Sequence, residues 1–313
     1  ILTFKTSLTG SFPPIYDPFL SIRTLPPDEQ DQLVHKSIER AIDDQIRLGV
    51  DILVDGQVRD DIVSLFCSHT PGFVGDRLPY RVIAPLRPVE AGITVADFRY
   101  ARELAPDTPF KAHLTGPLTL ASNLVVEPES GYAGRNDPRL IVDLTALLAH
   151  EARLLVAAGA DIIQFDEPAL SGGGNLDTAL TAMQEIVDTA EIPVAGLHIC
   201  GNVARILRDI LRRAPVQFVS TEGNWLKRDE LADLNEHELH ASGKKIGLGC
   251  ISVTDYAVER LSSVQTFVDE FAIWLGPENI WALMPNCGFR LMPYEAVIGK
   301  IGIMVRTAQT LDF

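Results

Sequence analysis

The sequence predicts an α/β chain folded as a (β/α)₈ barrel with elaborated loops after its strands, and three observations carry that prediction. Short apolar runs alternate with amphipathic helical stretches about eight times along the 313 residues, and alternation of this kind means a parallel sheet covered by helices. Eight such units in roughly 300 residues favour a closed barrel over an open doubly wound sheet. No change of composition marks a linker, so residues 1–313 read as one domain.

Each element follows from its own local pattern. Residues 5–10 form a short strand closed by Gly10-Ser11-Phe12-Pro13-Pro14, and a proline-rich loop runs on to Pro27. Asp28 is the expected cap of a helix over 28–48, whose apolar stripe is Leu33, Ile38, Ala41, Ile42 and Ile46 and which stops at Gly49. A strand over 51–54 ends at Asp55-Gly56-Gln57. Residues 71–92 are rich in Pro, Gly and Arg and lack periodicity, which predicts a functional or mobile loop. A helix over 95–104 leads to a strand over 110–114 that ends at Thr115-Gly116-Pro117. After a second loop, 127–136, Leu140, Leu144, Leu147, Leu148 and Leu155 give the helix over 138–158 a buried face. The strand over 161–165 ends at Asp166-Glu167-Pro168. Helices over 176–189, 202–213, 228–241 and 254–275 then alternate with strands over 194–200, 216–219, 245–250 and 280–284, and a helix over 293–310 follows the last strand.

Composition excludes several classes of function. A hydrophobic fraction of 46% and a charged fraction of 22% suit a chain with a sizeable core. A net charge of −15 argues against nucleic acid or an anionic membrane surface as partner. No apolar run approaches the ~18 residues of a membrane span. The opening Ile1-Leu2-Thr3-Phe4-Lys5 has neither an initiator Met nor the pattern of a secretory signal. Cys67, Cys200, Cys250 and Cys287 are too few for a disulfide framework in a chain this long, so reduced thiols and a cytoplasmic location are expected. Neither a Gly-x-Gly-x-x-Gly after a strand nor a Walker motif is present, which removes the main support for nucleotide binding.

Chemistry is concentrated at the strand ends. His198 and Cys200 are two residues apart in Leu197-His198-Ile199-Cys200, so in a strand they leave on the same face. Glu222 ends the next apolar run and Cys287 follows a later one. One imidazole, two thiols and a carboxylate suit tetrahedral zinc, joined by the fold and not by a local knuckle. Taken singly, His113 and His150 read as satisfied core or surface residues, and Cys67 and Cys250 as small hydrophobes. An anionic sulfur-rich zinc site is a poor source of hydroxide, whereas a substrate thiol that replaces the carboxylate would lose its proton and stay nucleophilic. Two readings stand for Ser11 and Asp166. They cap the elements that follow, or Asp166 binds an ammonium group while Gly10-Ser11 binds a carboxylate, together gripping an α-amino acid.

Several stretches then bear a family likeness. Thr9-Gly10-Ser11-Phe12-Pro13, Asp55-Gly56-Gln57, Leu114-Thr115-Gly116-Pro117, Ile163 to Leu170, His198-Ile199-Cys200, Glu222 and Pro285-Asn286-Cys287-Gly288 occur in order over nearly the whole chain. In these the sequence resembles the catalytic domain of cobalamin-independent methionine synthase. The resemblance implies a (β/α)₈ fold, zinc held by His198, Cys200, Glu222 and Cys287, and homocysteine as substrate, with Ser11 and Asp166 on its amino acid part. Departures from the family pattern narrow the expectation. The folate-stacking Trp of the family corresponds to Asn123, and a Glu that helps hold the substrate amino group corresponds to Gln57. The family's Asp and His after the seventh strand are replaced by the stretch Gly249 to Thr254. The folate-binding N-terminal barrel of the long enzyme has no counterpart here.

Methylfolate has a poor nitrogen leaving group that needs protonation; a methylcorrinoid has a good one. The chain thus resembles the single-domain "core" members of the family, which implies a methylcorrinoid donor, either free methylcobalamin or a corrinoid protein as partner. The expected function is zinc-dependent methylation of homocysteine to methionine. The alternatives are transfer to another thiol such as coenzyme M, 5-methyltetrahydrofolate as donor, and a non-catalytic zinc-bearing partner of a corrinoid protein.

Overall fold

The computed structural model describes residues 3–19, 22–231, 234–311 and 313; the reading of Ile1-Leu2 lies outside them. The described strands are β1 (Leu53–Val54), β2 (Phe73–Val74), β3 (Tyr80–Val82), β4 (Phe110–Thr115), β5 (Leu124–Val126), β6 (Ile162–Asp166), β7 (Ala195–Ile199), β8 (Phe218–Glu222), β9 (Lys245–Ile251) and β10 (Ile280–Pro285). The described helices are α1 (Pro27–Leu48), α2 (Ile62–His69), α3 (Val95–Leu104), α4 (Pro117–Ser122), α5 (Pro138–Ala157), α6 (Leu176–Ala190), α7 (Ala204–Arg213), α8 (Glu236–Ser242), α9 (Leu261–Leu275) and α10 (Tyr294–Thr310).

Seven strands form one curled parallel sheet in the order β1-β4-β6-β7-β8-β9-β10. The expected strand over 5–10 is reduced to two isolated parallel bridges, Thr6 with Leu283 of β10 and Ser7 with Ile52 beside β1. Thr6 is held there by Asp51, whose carboxylate accepts from both the Thr6 N–H and its hydroxyl at 2.7 and 2.8 Å. The segment therefore lies between the two edges of the sheet, and β1 itself is only two residues long.

Register sets the height of the side chains that matter. Thr115 is level with Asp166, Asp166 with His198, and His198 with Ser220 across β4, β6, β7 and β8. One layer below, Gln164 is level with His113 and with Gly196. Toward the bottom of the sheet lies an apolar group, Ile52, Ile162 and Phe218, with Val194 and Trp281 against it, beside Lys111, which is level with Ile162. The Phe218 ring stacks on Trp281 at 3.6 Å between centroids. Gly196 makes this possible, because a Cβ there would fall 2.0 Å from the Phe218 ring.

Several expectations are corrected by the structure. Helix α1 begins at Pro27, and Asp28 lies inside it; Pro27 takes the first helical position, where a missing N–H costs nothing. The stretch 71–92 is no bare loop: β2 and β3 pair antiparallel, β3 pairs parallel with β5, and the three form a small separate sheet. Helices α2 and α4 are too short to show a periodic stripe. Helix α9 starts at Leu261, later than expected. The residues before it fold back, with Glu259 accepting the Ser252 N–H at 2.9 Å and the fully buried Lys300 ammonium at 2.9 Å. The predicted helix over 228–241 is confined to α8, and residues 232 and 233 of that stretch lie outside the described residues. Among the described residues no helix is long and apolar enough to cross a membrane.

Candidate metal centre and substrate cavity

His198 ends on the inner face of β7, and Cys200 leaves on the same side two residues later. Cys287 arrives from the turn after β10. Their ligand atoms lie within 4.8 Å of one another. His198 Nε2 is 3.0 Å from Cys200 Sγ, and the two sulfurs are 2.8 Å apart. His198 Nδ1 meets Ser220 Oγ at 2.9 Å, which turns Nε2 toward the sulfurs. Period-two alternation places Ser220 on the face of Glu222, so this partner was open to sequence reasoning that stopped at the ligand types.

The fourth expected ligand stands apart. Glu222 ends β8 close by, but it is not in the group of three; its Oε1 accepts the Gly201 N–H at 2.7 Å. That backbone donor, one residue past Cys200, holds one oxygen of the carboxylate. The remaining set of one imidazole and two thiols is a soft-metal set and suits zinc. A hydrogen bond from Cys200 holds the Cys287 thiol well below the usual thiol range, with His198 adding to it; bonding to Cys287 and burial push Cys200 up.

These residues sit at the floor of a cavity of about 560 Å³. Ser11, Gln57 and Asp166 line it as well. Neither Ser11 nor Asp166 caps a helix. Ser11 Oγ accepts the Arg290 N–H at 3.2 Å, and Asp166 Oδ1 accepts from Gln164 Nε2 at 2.7 Å. Burial pushes the Asp166 carboxyl up to about 6, against His198, Gln164 and Lys111, which pull it down. Gln57 lies over Gly10: a Cβ on that glycine would meet Gln57 Oε1 at 2.4 Å. Gln57 itself has φ 42°, a conformation few non-glycine residues adopt. It is held there by its N–H bond to Asp55 Oδ1 at 3.0 Å and by Arg290 Nη1, which donates to its carbonyl at 3.3 Å.

The remaining residues singled out from sequence fall outside this group. Cys67 is buried in α2, and Cys250 is half-buried; burial pushes both thiols up to about 12. His113 is buried beside Gly10, and burial holds its imidazole well below the ordinary value. His150 reaches the Glu90 carbonyl near the surface. Asn123 follows α4, where its Nδ2 donates to the Thr119 carbonyl at 2.8 Å, and it does not line the cavity. Val253 and Tyr256 form the wall beyond β9, the place expected to lack the family's Asp and His. Three residues were given no role by the sequence reading. Glu167 is buried and accepts from the Leu118 and Thr119 N–H groups, anchoring α4. Lys111 and Gln164 lie directly under Asp166 and are fully buried.

Comparison with known proteins places the chain among relatives of known family. The family described as "Cobalamin-independent synthase, Catalytic domain" matches residues 4–310. A methionine synthase of Methanocaldococcus jannaschii is 34% identical over 291 residues, covering 88% of each chain. One from Methanothermobacter thermautotrophicus is 33% identical over 282 residues, covering 87% of this chain and 88% of its own. Among solved structures, a B12-independent methionine synthase from Shewanella sp. W3-18-1, in complex with selenomethionine, superposes with a TM-score of 0.83 at 21% identity, covering 98% and 97% of the two chains. The expected methylcorrinoid donor and corrinoid-protein partner find no support here, since the family is described as cobalamin-independent and the Shewanella protein as B12-independent. The match over residues 4–310 and the identities above 30% identify the chain as a member of the cobalamin-independent synthase catalytic-domain family.

Proposed function

We propose that this methyltransferase methylates the sulfur of homocysteine to give methionine, at a zinc centre held by His198, Cys200 and Cys287 with Glu222 as a fourth, exchangeable ligand. The observation that carries the proposal is the convergence of those three donors, within 4.8 Å, on the floor of a cavity that Asp166 and Ser11 also line. Zinc held there by His198, Cys200 and Cys287 would lower the pKa of a substrate thiol and leave its sulfur anionic and nucleophilic. The names of the two archaeal relatives support methionine as product.

The protein's own groups bind and orient. Asp166 offers its carboxylate to the substrate ammonium, and Ser11 with the nearby backbone takes the substrate carboxylate. Gln57, pinned in its unusual backbone conformation, presents an amide at the same end of the cavity. The apolar outer wall, including Phe19, Ile62, Val253, Tyr256 and Leu291, excludes water and takes the donor. The attacking sulfur gains the methyl group as the bond from methyl to its carrier breaks. The relatives' descriptions favour 5-methyltetrahydrofolate as that carrier. Its nitrogen needs a proton on leaving; of the acids lining the cavity, Asp60 is paired with Arg23 at 3.3 Å and Asp61 caps the start of α2, so that proton is assigned to solvent at the cavity mouth. Coenzyme M fits less well, because its sulfonate would face the Asp166 carboxylate. In this reading residues 1–313 act as one domain, and the Thr6–Ser7 segment serves as the eighth stave that completes a (β/α)₈ barrel. The thiols remain reduced, as in the cytoplasm.

The test is homocysteine methylation by the zinc-loaded protein with 5-methyltetrahydrofolate and methylcobalamin in parallel. Methionine from the folate donor, lost on chelation and restored by zinc, is expected. Turnover with methylcobalamin alone would overturn the donor but keep the thiol site. Homocysteine binding without methionine from either donor would leave a zinc-bearing binding protein and end the enzymatic reading.

A further inference from the structure

The proposed mechanism uses Asp166 but leaves unexplained a lysine buried in the barrel interior. Lys111 is 0% exposed, and its ammonium lies among the inward-facing side chains of β4 and β6. Its Nζ donates to the Leu8 carbonyl at 2.7 Å and to Gln164 Oε1 at 2.7 Å. Gln164 in turn donates from Nε2 to the Thr9 carbonyl at 2.8 Å and to Asp166 Oδ1 at 2.7 Å. The three contacts of Gln164 are satisfied only in one orientation of its amide. A lysine ammonium has donors and no acceptor, so it accepts only the oxygen side of Gln164. The nitrogen side must then face upward. Turned over, the amide would point its oxygen at a carbonyl and a carboxylate and its N–H₂ at an ammonium, losing all three bonds.

We propose that Lys111 is a positioning residue that, through Gln164, pins one oxygen of Asp166 and keeps the other aimed into the cavity, making the site selective for thiols that carry an amino group. Lys111 touches neither substrate nor metal in this arrangement; it acts at a distance of two hydrogen bonds. The chain of contacts runs from the middle layer of the barrel to its mouth, and every link is buried. Charge contributes as well. Below about pH 7, where Lys111 keeps its proton, the cation under the site also favours an anionic Asp166. The inference rests on the reading of Asp166 as the ammonium-binding group.

The experiment compares homocysteine with 4-mercaptobutyrate, the same thiol without its amino group, as acceptors for the zinc-loaded protein. In Lys111→Met the KM for homocysteine should rise about tenfold or more, the scale of losing one hydrogen bond to a charged group. The KM for 4-mercaptobutyrate and the kcat for both should stay within about twofold. In an Asp166→Ala background, adding Lys111→Met should change the preference no further. Should Lys111→Met fail to fold, Gln164→Glu keeps a partner for the lysine while removing the donor to Asp166, and it should lose the same preference. Equal losses for the two thiols, or an unchanged ratio of their KM values, would overturn the inference and leave Lys111 a structural residue. Failure of the underlying reading is separable: the unsubstituted protein would then show no preference for homocysteine at all.

Discussion

Each side chain of the centre has a partner that sets its direction, and two substitutions test those roles. Cys287→Ser replaces a thiolate donor with a hard, weakly acidic hydroxyl. Zinc retained after dialysis should fall below about a tenth of an equivalent; full retention, measured by elemental analysis, would remove Cys287 from the site. Ser220→Ala leaves all the ligands in place but frees His198 Nδ1. Loss of such an outer partner typically costs about 10- to 100-fold in metal affinity. Competition with a chromophoric chelator measures it, and unchanged affinity would show that the imidazole is oriented by packing alone. The ligand types and their strand-end positions were legible in the sequence because i and i+2 alternation binds His198 to Cys200. The rotation of Glu222 onto the Gly201 N–H was not, because it depends on a backbone group brought alongside from the neighbouring strand.

Among the elements, the long periodic helices were readable and the short ones were not. Helix α3 spans the predicted 95–104, and α5 runs Pro138–Ala157 under its predicted leucine stripe, with Asp137 accepting the Arg139 N–H at its start. Helix α2 spans only eight residues, and its entry depends on Asp61, which accepts from the Val63 and Ser64 N–H groups. The small sheet of β2, β3 and β5 joins residues about forty positions apart, and nothing local announces such a pairing. Caps are a testable part of this scale. Asn175 accepts the Thr178 N–H at 3.0 Å at the start of α6, outside the cavity. Asn175→Ala should cost about 1 kcal/mol of stability, read as a lower midpoint in denaturant with an unchanged slope. Methyl transfer should be unaffected, and a large loss of activity would contradict the separation of α6 from the site.

Among the described residues the main apolar core reaches from Phe4 to Ala308, and a polar column rises inside the sheet from Lys111 through Gln164 to Asp166. That column has a cost with a definite sign. Burial brings the Lys111 ammonium down from 10.5 to about 7. Between those values the unfolded chain carries the proton and the folded chain does not, so raising the pH favours the folded state. The stability due to this group is full above 10.5 and lost as the pH falls through about 7. The difference in thermal midpoint between the unsubstituted protein and Lys111→Met should therefore shift in favour of the unsubstituted protein from pH 7 to pH 10. A difference that does not change with pH would place the ammonium in better contact with water than the structure has it.

From the sequence alone came the alternation of strands and helices, the strand-end positions of His198, Cys200, Glu222, Cys287 and Asp166, and the soft-metal character of the set, because period and residue chemistry are local properties of the chain. Tertiary structure alone decided which of these atoms meet. Strand register brings Asp166, His198 and Ser220 to one level, the Gly201 N–H claims Glu222, and Gln164 is wedged between a cation and a carboxylate. Such choices turn on groups far apart in the chain competing for the same hydrogen bonds, and only the curled sheet sets those distances.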